Sequence, residues 1–156
     1  MDAYHCTLDL NVSAPVLFKA LTTPEGFQRW WTEFCEVRPE PGETSVFRFG
    51  QTHMALQLES LEPDRSVVWL CTEHHHHLPG ILTRTDEWVG TRLRFALHPL
   101  DEEKTRLEFH HEGLTPDLEC YEICRSGWDH FLTTSLKNYV ERGKGEPYND
   151  RYPYSE

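Results

Sequence analysis

The sequence predicts an α+β fold: a seven-stranded antiparallel sheet curled around one long C-terminal helix, with two short helices after the first strand. Three observations carry that expectation for this chain of 156 residues. Apolar residues recur with a period of two in seven segments between Ala3 and His111, which is the spacing of half-buried strands. Short turn signals such as Pro39-Glu40-Pro41-Gly42 and Pro63-Asp64 join most of them, as in a meander. After Thr115 the spacing changes to threes and fours, and a helix and a sheet that each carry a single apolar face must cover one another.

Each element follows from its own residues. Ala3 to Val12 places Cys6, Leu8, Leu10 and Val12 on one face. Ser13-Ala14-Pro15 opens a short helix with a capping residue and an early proline, and Thr23-Pro24-Glu25 opens a second that carries Phe27, Trp30 and Trp31. Strands follow at Phe34 to Arg38, at Ser45 to Gly50, at Met54 to Glu59 and at Val67 to Thr72. The last two run from Val89 to His98 and from Thr105 to His111. Thr115-Pro116-Asp117 is then a helix start, and Gly143 after Arg142 is a left-handed stop. The expected helix, Pro116 to Arg142, has about 26 residues at 1.5 Å rise. Residues 1–145 are read as one domain and 146–156 as an aperiodic tail with Tyr148, Tyr152 and Tyr154.

Composition narrows the function. Lys and Arg total 15 against 26 Asp and Glu, a formal net charge of −11, which argues against a nucleic-acid partner because a phosphate backbone selects basic surfaces. Nineteen aromatic residues (5 Trp, 6 Tyr, 8 Phe) compensate for a hydrophobic fraction of 38%, each ring burying about 150–250 Å². No stretch approaches the roughly 18 apolar residues of a membrane span, and the N-terminus lacks the charged and apolar regions of a secretory signal. The chain is therefore read as cytoplasmic, and as a monomer or homodimer. Its 5 cysteines form no CxxC pair, so neither a disulfide framework nor a zinc knuckle is read. Cys120 and Cys124 are taken as small apolar fillers one helical turn apart.

Certain local motifs carry a family resemblance. They are Ala14-Pro15, Leu21-Thr22-Thr23-Pro24, Phe27 with Trp30-Trp31, Trp88-Val89-Gly90-Thr91, His110-His111-Glu112-Gly113-Leu114, Trp128, Ser135-Leu136-Lys137 with Tyr139, and Gly143-Lys144-Gly145. Together they resemble the helix-grip fold of the START-like, birch-pollen-allergen-like superfamily, in the branch related to the activator of heat shock protein 90 ATPase. The resemblance spans residues 3–145. It implies a hydrophobic ligand held between sheet and helix, since members commonly hold one there, while others are aromatase/cyclases or hydrolases. It also implies that true activators of the chaperone carry a further N-terminal domain, for which a chain starting at the first strand leaves no room.

The residues expected at the ligand follow from both lines. The sheet offers Met54, Leu56, Leu58, Phe95 and Phe109; the C-terminal helix offers Tyr121, Trp128 and Phe131; Phe27 and one of Trp30 and Trp31 form a lid. Only one of those tryptophans is expected to face inward, because neighbours on a helix point about 100° apart. His111 shares the inward parity of Phe109, and is either a satisfied histidine, a polar contact for a ligand, or a general base. Arg125 either pairs with an acidic ligand group or lies on a solvated flank. The run His74-His75-His76-His77 is read as a solvated or cavity-rim loop, because consecutive imidazoles on a loop lack the fixed geometry a metal needs. No catalytic residue, metal or cofactor is assigned. The leading expectation is a binder of a hydrophobic or aromatic small molecule in a cavity of about 300–1,000 Å³. A cyclase-, aromatase- or hydrolase-like enzyme and a chaperone-interacting module are the alternatives.

Overall fold

The computed structural model describes residues 2–149; Tyr152 and Tyr154 of the tail lie outside them. Seven strands form one antiparallel sheet: β1 (Tyr4–Leu10), β2 (Phe34–Glu36), β3 (Thr44–Phe49), β4 (Thr52–Glu62), β5 (Ser66–His75), β6 (Arg92–Asp101) and β7 (Lys104–Glu112). Their spatial order is β1-β7-β6-β5-β4-β3-β2. The last six therefore meander, and β1 closes onto β7 with Tyr4 opposite His111 and Leu10 opposite Thr105. Helices α1 (Ala14–Ala20) and α2 (Pro24–Trp30) follow β1. Each has proline in its first turn, and at α2 the Thr23 hydroxyl accepts from the Gly26 amide.

The C-terminal helix starts later than the sequence suggests. Thr115-Pro116-Asp117 forms a turn, and α3 begins at Tyr121 (Tyr121–His130). The amides of Glu119 and Cys120 donate to the Glu87 carboxylate instead of continuing a helix backwards, so a side chain from before β6 caps the helix. One turn of wider π-helix, Phe131–Leu136, joins α3 to α4 (Lys137–Arg142), which stops at Gly143 with φ 85°. β6 also starts later, at Arg92. Gly90 is left-handed, with φ 87°, and Trp88 to Thr91 form a tight turn that leaves Val89 exposed.

Two bulges set which residues face the helix. Leu58 pairs with Trp69 and Ser60 with Val68, so Glu59 is extra in β4; Leu56 pairs with Cys71 and Ala55 with Glu73, so Thr72 is extra in β5. A bulge shifts the alternation by one residue. Val67, Trp69 and Cys71 are buried before it, His74 and His76 after it. The histidine run is accordingly no free loop: β5 continues through His75, and the His76 amide donates to the Thr85 carbonyl.

Against the sheet lies one core that includes Leu10, Leu56, Leu58, Phe95, Leu107, Phe109 and Leu132. Tyr4 pins β1 to the helix by donating its hydroxyl to Asp129 at 2.6 Å. After α4 the chain returns to α2: Ser135 Oγ donates to the Trp30 carbonyl and accepts from the Glu146 amide, both at 2.7 Å. Tyr148 then pairs with the 31–33 segment and is buried against Phe34 and Phe49. Among the described residues no helix is long and apolar enough to cross a membrane.

Candidate functional site

Four tryptophans from three parts of the chain stack in one series. Trp30 lies on Trp31 (ring centroids 5.9 Å apart, planes at 16°), Trp31 on Trp128 (5.3 Å, 20°) and Trp128 on Trp88 (5.8 Å, 12°). Both residues of the Trp30-Trp31 pair are buried, where one was expected inside. Trp31 is the C-cap of α2, with φ −110° and ψ −68°, and its ring stacks on Trp30 rather than pointing away from the core. Trp30 is anchored by its indole N–H, which donates to the Ala20 carbonyl at 2.7 Å.

A cavity of about 70 Å³ opens beside this series. Trp31, Trp88, Trp128, Phe49, Phe131 and Met54 form its apolar wall, and Thr52, His74, His76, Ile123, Cys124 and Gly127 complete it. It is far smaller than the expected 300–1,000 Å³, because the large rings fill the space between sheet and helix. Of the residues expected at a ligand, Trp31, Met54, Trp128 and Phe131 meet there. Phe27, Trp30, Leu56, Leu58, Phe95 and Phe109 lie in the core away from it: Phe95 packs on Phe109 at 4.8 Å and Phe27 on Phe47 at 5.0 Å. Tyr121 is half-buried at the start of α3. Arg125 is on the solvated flank, bonded to Glu122 at 2.8 Å and to Asp129 at 3.2 Å.

His111 is fully buried and each ring nitrogen is engaged. Its Nδ1 accepts from the Trp128 indole N–H at 3.0 Å, and its Nε2 lies 2.9 Å from the Thr91 hydroxyl, which donates to the Trp88 carbonyl. With Nδ1 accepting, the proton belongs on Nε2. Burial, with His74 adding to it, lowers its pKa to about 3. The neutral ring orients Trp128 and has no lone pair left to act as a base toward the cavity.

Residues the sequence reading left out of the site form its polar side. The amide of Trp88 donates to His74 Nδ1 at 3.2 Å, and its indole N–H to Cys124 Sγ at 3.3 Å. Burial first, then the neighbouring His76, lowers the His74 pKa to about 3. His76, Cys120 and Cys124 are all buried, and a ligand atom from each lies within 4.8 Å of the others. The Cys120 thiol is held well above its ordinary pKa by its hydrogen bond to Cys124 and by burial. His76 Nδ1 and Trp69 Nε1 are buried without a hydrogen-bond partner, an arrangement that costs about 1–3 kcal/mol per group. The signal for this cluster was present as Cys120 and Cys124 one turn apart, but the Thr72 bulge that turns His76 inward has no mark in the sequence.

Known proteins agree with the fold. The family described as Activator of Hsp90 ATPase homolog 1-like protein matches residues 11–141. The solution structure of the Aha1 dimer from Colwellia psychrerythraea superposes with a TM-score of 0.75 at 28% identity, covering 93% of this chain and 100% of that one. An HSP90 activator from Plasmodium falciparum gives 0.66 at 17% identity, over 89% of this chain and 94% of its own. CalU16 from Micromonospora echinospora gives 0.61 at 17%, over 91% and 75%. No curated protein matches the chain.

Proposed function

This chain belongs to the family of Activator of Hsp90 ATPase homolog 1-like proteins, and from that membership and the geometry of its cavity we propose that it binds a small apolar or aromatic molecule against the tryptophan series. The observation that carries this reading is the wall of Trp31, Trp128 and Trp88, three stacked, near-parallel indoles that border a gap. The fold family includes ligand-binding and polyketide cyclase-like members, which supports a ligand in this position. An aromatic ring needs more room than 70 Å³, since a dry cavity that takes benzene has about 150 Å³. Entry therefore requires the cavity walls to move apart, and the affinity falls between about 1 mM and 1 μM, or −4 to −8 kcal/mol. The catalytic reading loses its named base, because His111 is saturated.

Native mass spectrometry of freshly purified protein, followed by fluorescence titration with naphthalene, tests the proposal. Probe binding should change the tryptophan emission. Ile123→Phe, whose larger side chain fills the mouth and carries no polar atom, should weaken binding at least about tenfold while near-ultraviolet circular dichroism still reports a folded protein. No response in the parent, or equal affinity in both proteins, overturns the reading.

The Colwellia and Plasmodium relatives support a second reading, a chaperone-interacting module. Stimulation of a purified Hsp90 ATPase by this chain would favour it over small-molecule binding. The dimer of the Colwellia relative supports a homodimer here, which light scattering on the eluting protein decides.

A further inference from the structure

We propose that His76, Cys120 and Cys124 bind one zinc-class transition-metal ion, with a remaining coordination position open to the aromatic cavity. The three side chains come from separate parts of the chain and meet in the interior, their ligand atoms within 4.8 Å of one another. Two sulfurs and an imidazole suit zinc and its borderline-soft neighbours; magnesium and calcium require oxygen donors that this group lacks. Donor atoms around a tetrahedral zinc sit roughly 3.5–3.8 Å apart, given Zn–S near 2.3 Å and Zn–N near 2.0–2.1 Å, so small rotations of the side chains close the set.

A second observation points to a ligand independently. His76 exposes 8% of its surface and its Nδ1 is buried without a partner, although buried polar atoms are ordinarily satisfied. The His76 side chain does reach the Cys120 thiol, and a metal ion bound within the cluster would satisfy the imidazole there. The surroundings also hold the donors in place. The His76 amide is bonded to the Thr85 carbonyl at 2.8 Å, the Cys120 amide to Glu87 at 2.9 Å, and the Glu119 carboxylate accepts from the amides of Thr83 and Arg84. The 76–87 segment and the start of α3 are thus tied to each other on both sides of the cluster. The Trp88 indole N–H donates to Cys124 Sγ at 3.3 Å, the kind of outer contact that orients and stabilises a metal-bound thiolate. His76 and Cys124 also wall the cavity, so the open position faces the space where an organic ligand would sit. Sites with two cysteines, one histidine and an open position are of the catalytic rather than the structural kind.

The test uses the full-length protein, reduced and stripped of metal by chelation, and titrates it with cobalt(II). One equivalent should produce a thiolate-to-cobalt charge-transfer band and the intense visible absorption of a tetrahedral site, and zinc should bleach both. Cys120→Ser, Cys124→Ser and His76→Asn should each weaken binding by at least about tenfold, whereas the His75→Ala/His77→Ala double variant keeps it. A measurement on the parent needs no variant to fold: zinc should slow alkylation of Cys120 and Cys124, mapped by peptide mass, and leave Cys6 and Cys35 unaffected. Absence of the charge-transfer band, its survival in both serine variants, its loss only in the His75/His77 variant, or alkylation indifferent to zinc would overturn the site. Cobalt absorption needs no organic ligand, so this result and the naphthalene titration fail separately.

Discussion

His111, like His74, makes stability respond to acid. Its pKa is about 3 when folded and about 6.5 in an unfolded chain, so between these values only the unfolded state takes up the proton. Stability is full above pH 6.5 and is lost as pH falls toward 3. Going from pH 7 to pH 5 should cost about 2 kcal/mol from this residue alone. His111→Gln should be less stable at pH 7, by about 1–3 kcal/mol, because the Trp128 indole N–H loses its fitted acceptor. The variant should also show a shallower fall in melting temperature between pH 7 and pH 5. An equal slope would assign the acid response to other groups. The thiols make a second residue-scale prediction. All 5 cysteines should react with a thiol reagent in denaturant, while in the folded protein the half-buried Cys6 and Cys35 react ahead of the buried three.

At the scale of elements, the contact between α1 and α2 depends on one missing methyl group. A Cβ at Gly26 would stand 2.5 Å from the Lys19 carbonyl oxygen and 2.6 Å from the Ala20 Cα, both backbone atoms that cannot rotate aside. Gly26→Ala should cost about 1–3 kcal/mol by forcing the helices apart. It should also alter the near-ultraviolet circular dichroism, because the Trp30 indole is bonded to Ala20 in that contact. A variant with unchanged stability and spectrum would show that the helices separate freely. What was legible at this scale was anything written in a period. The alternation of Leu93, Phe95 and Leu97 and of Leu107 and Phe109 marks the buried face of β6 and β7, and the switch after Thr115 marks the closing helix. What escaped was set by partners distant in sequence. The Glu87 carboxylate starts α3 at Tyr121, and the extra residue Thr72 puts His74 and His76 inside where unbroken alternation from Cys71 would have chosen Glu73 and His75. The candidate site suffered most. Trp88, His74, His76 and Cys124 reach the cavity through a bulge and a looped segment, whereas Leu56, Leu58, Phe95 and Phe109, legible as inward, proved to be packed core.

For the molecule as a whole, two features of long range matter. The first is the pairing of β1 with β7, reinforced by Arg106 with both oxygens of Asp9 and by the Thr105 hydroxyl on the Val12 carbonyl. Removal of residues 1–12 would strip that edge and uncover the β7 side of the core, so the truncated chain should lose cooperative thermal unfolding; a sharp transition would refute this. The second is the net charge of −11, which repels itself across the surface. Raising sodium chloride from about 0.01 M to 0.15 M shortens the screening length from about 30 Å to 8 Å. It should raise the melting temperature by a few degrees, although exposed pairs such as Arg92 with Glu59 are weakened by the same salt.

The stacked tryptophans have an optical consequence. With neighbouring ring centroids between 5.3 and 5.9 Å apart and planes within 20° of parallel, their excited states are coupled, and energy absorbed by one indole migrates along the row before it is emitted. The protein then shines through whichever member is lowest in energy. A quencher seated near Trp88 therefore dims more than the ring it touches, and four of the chain's 5 tryptophans report on one small gap.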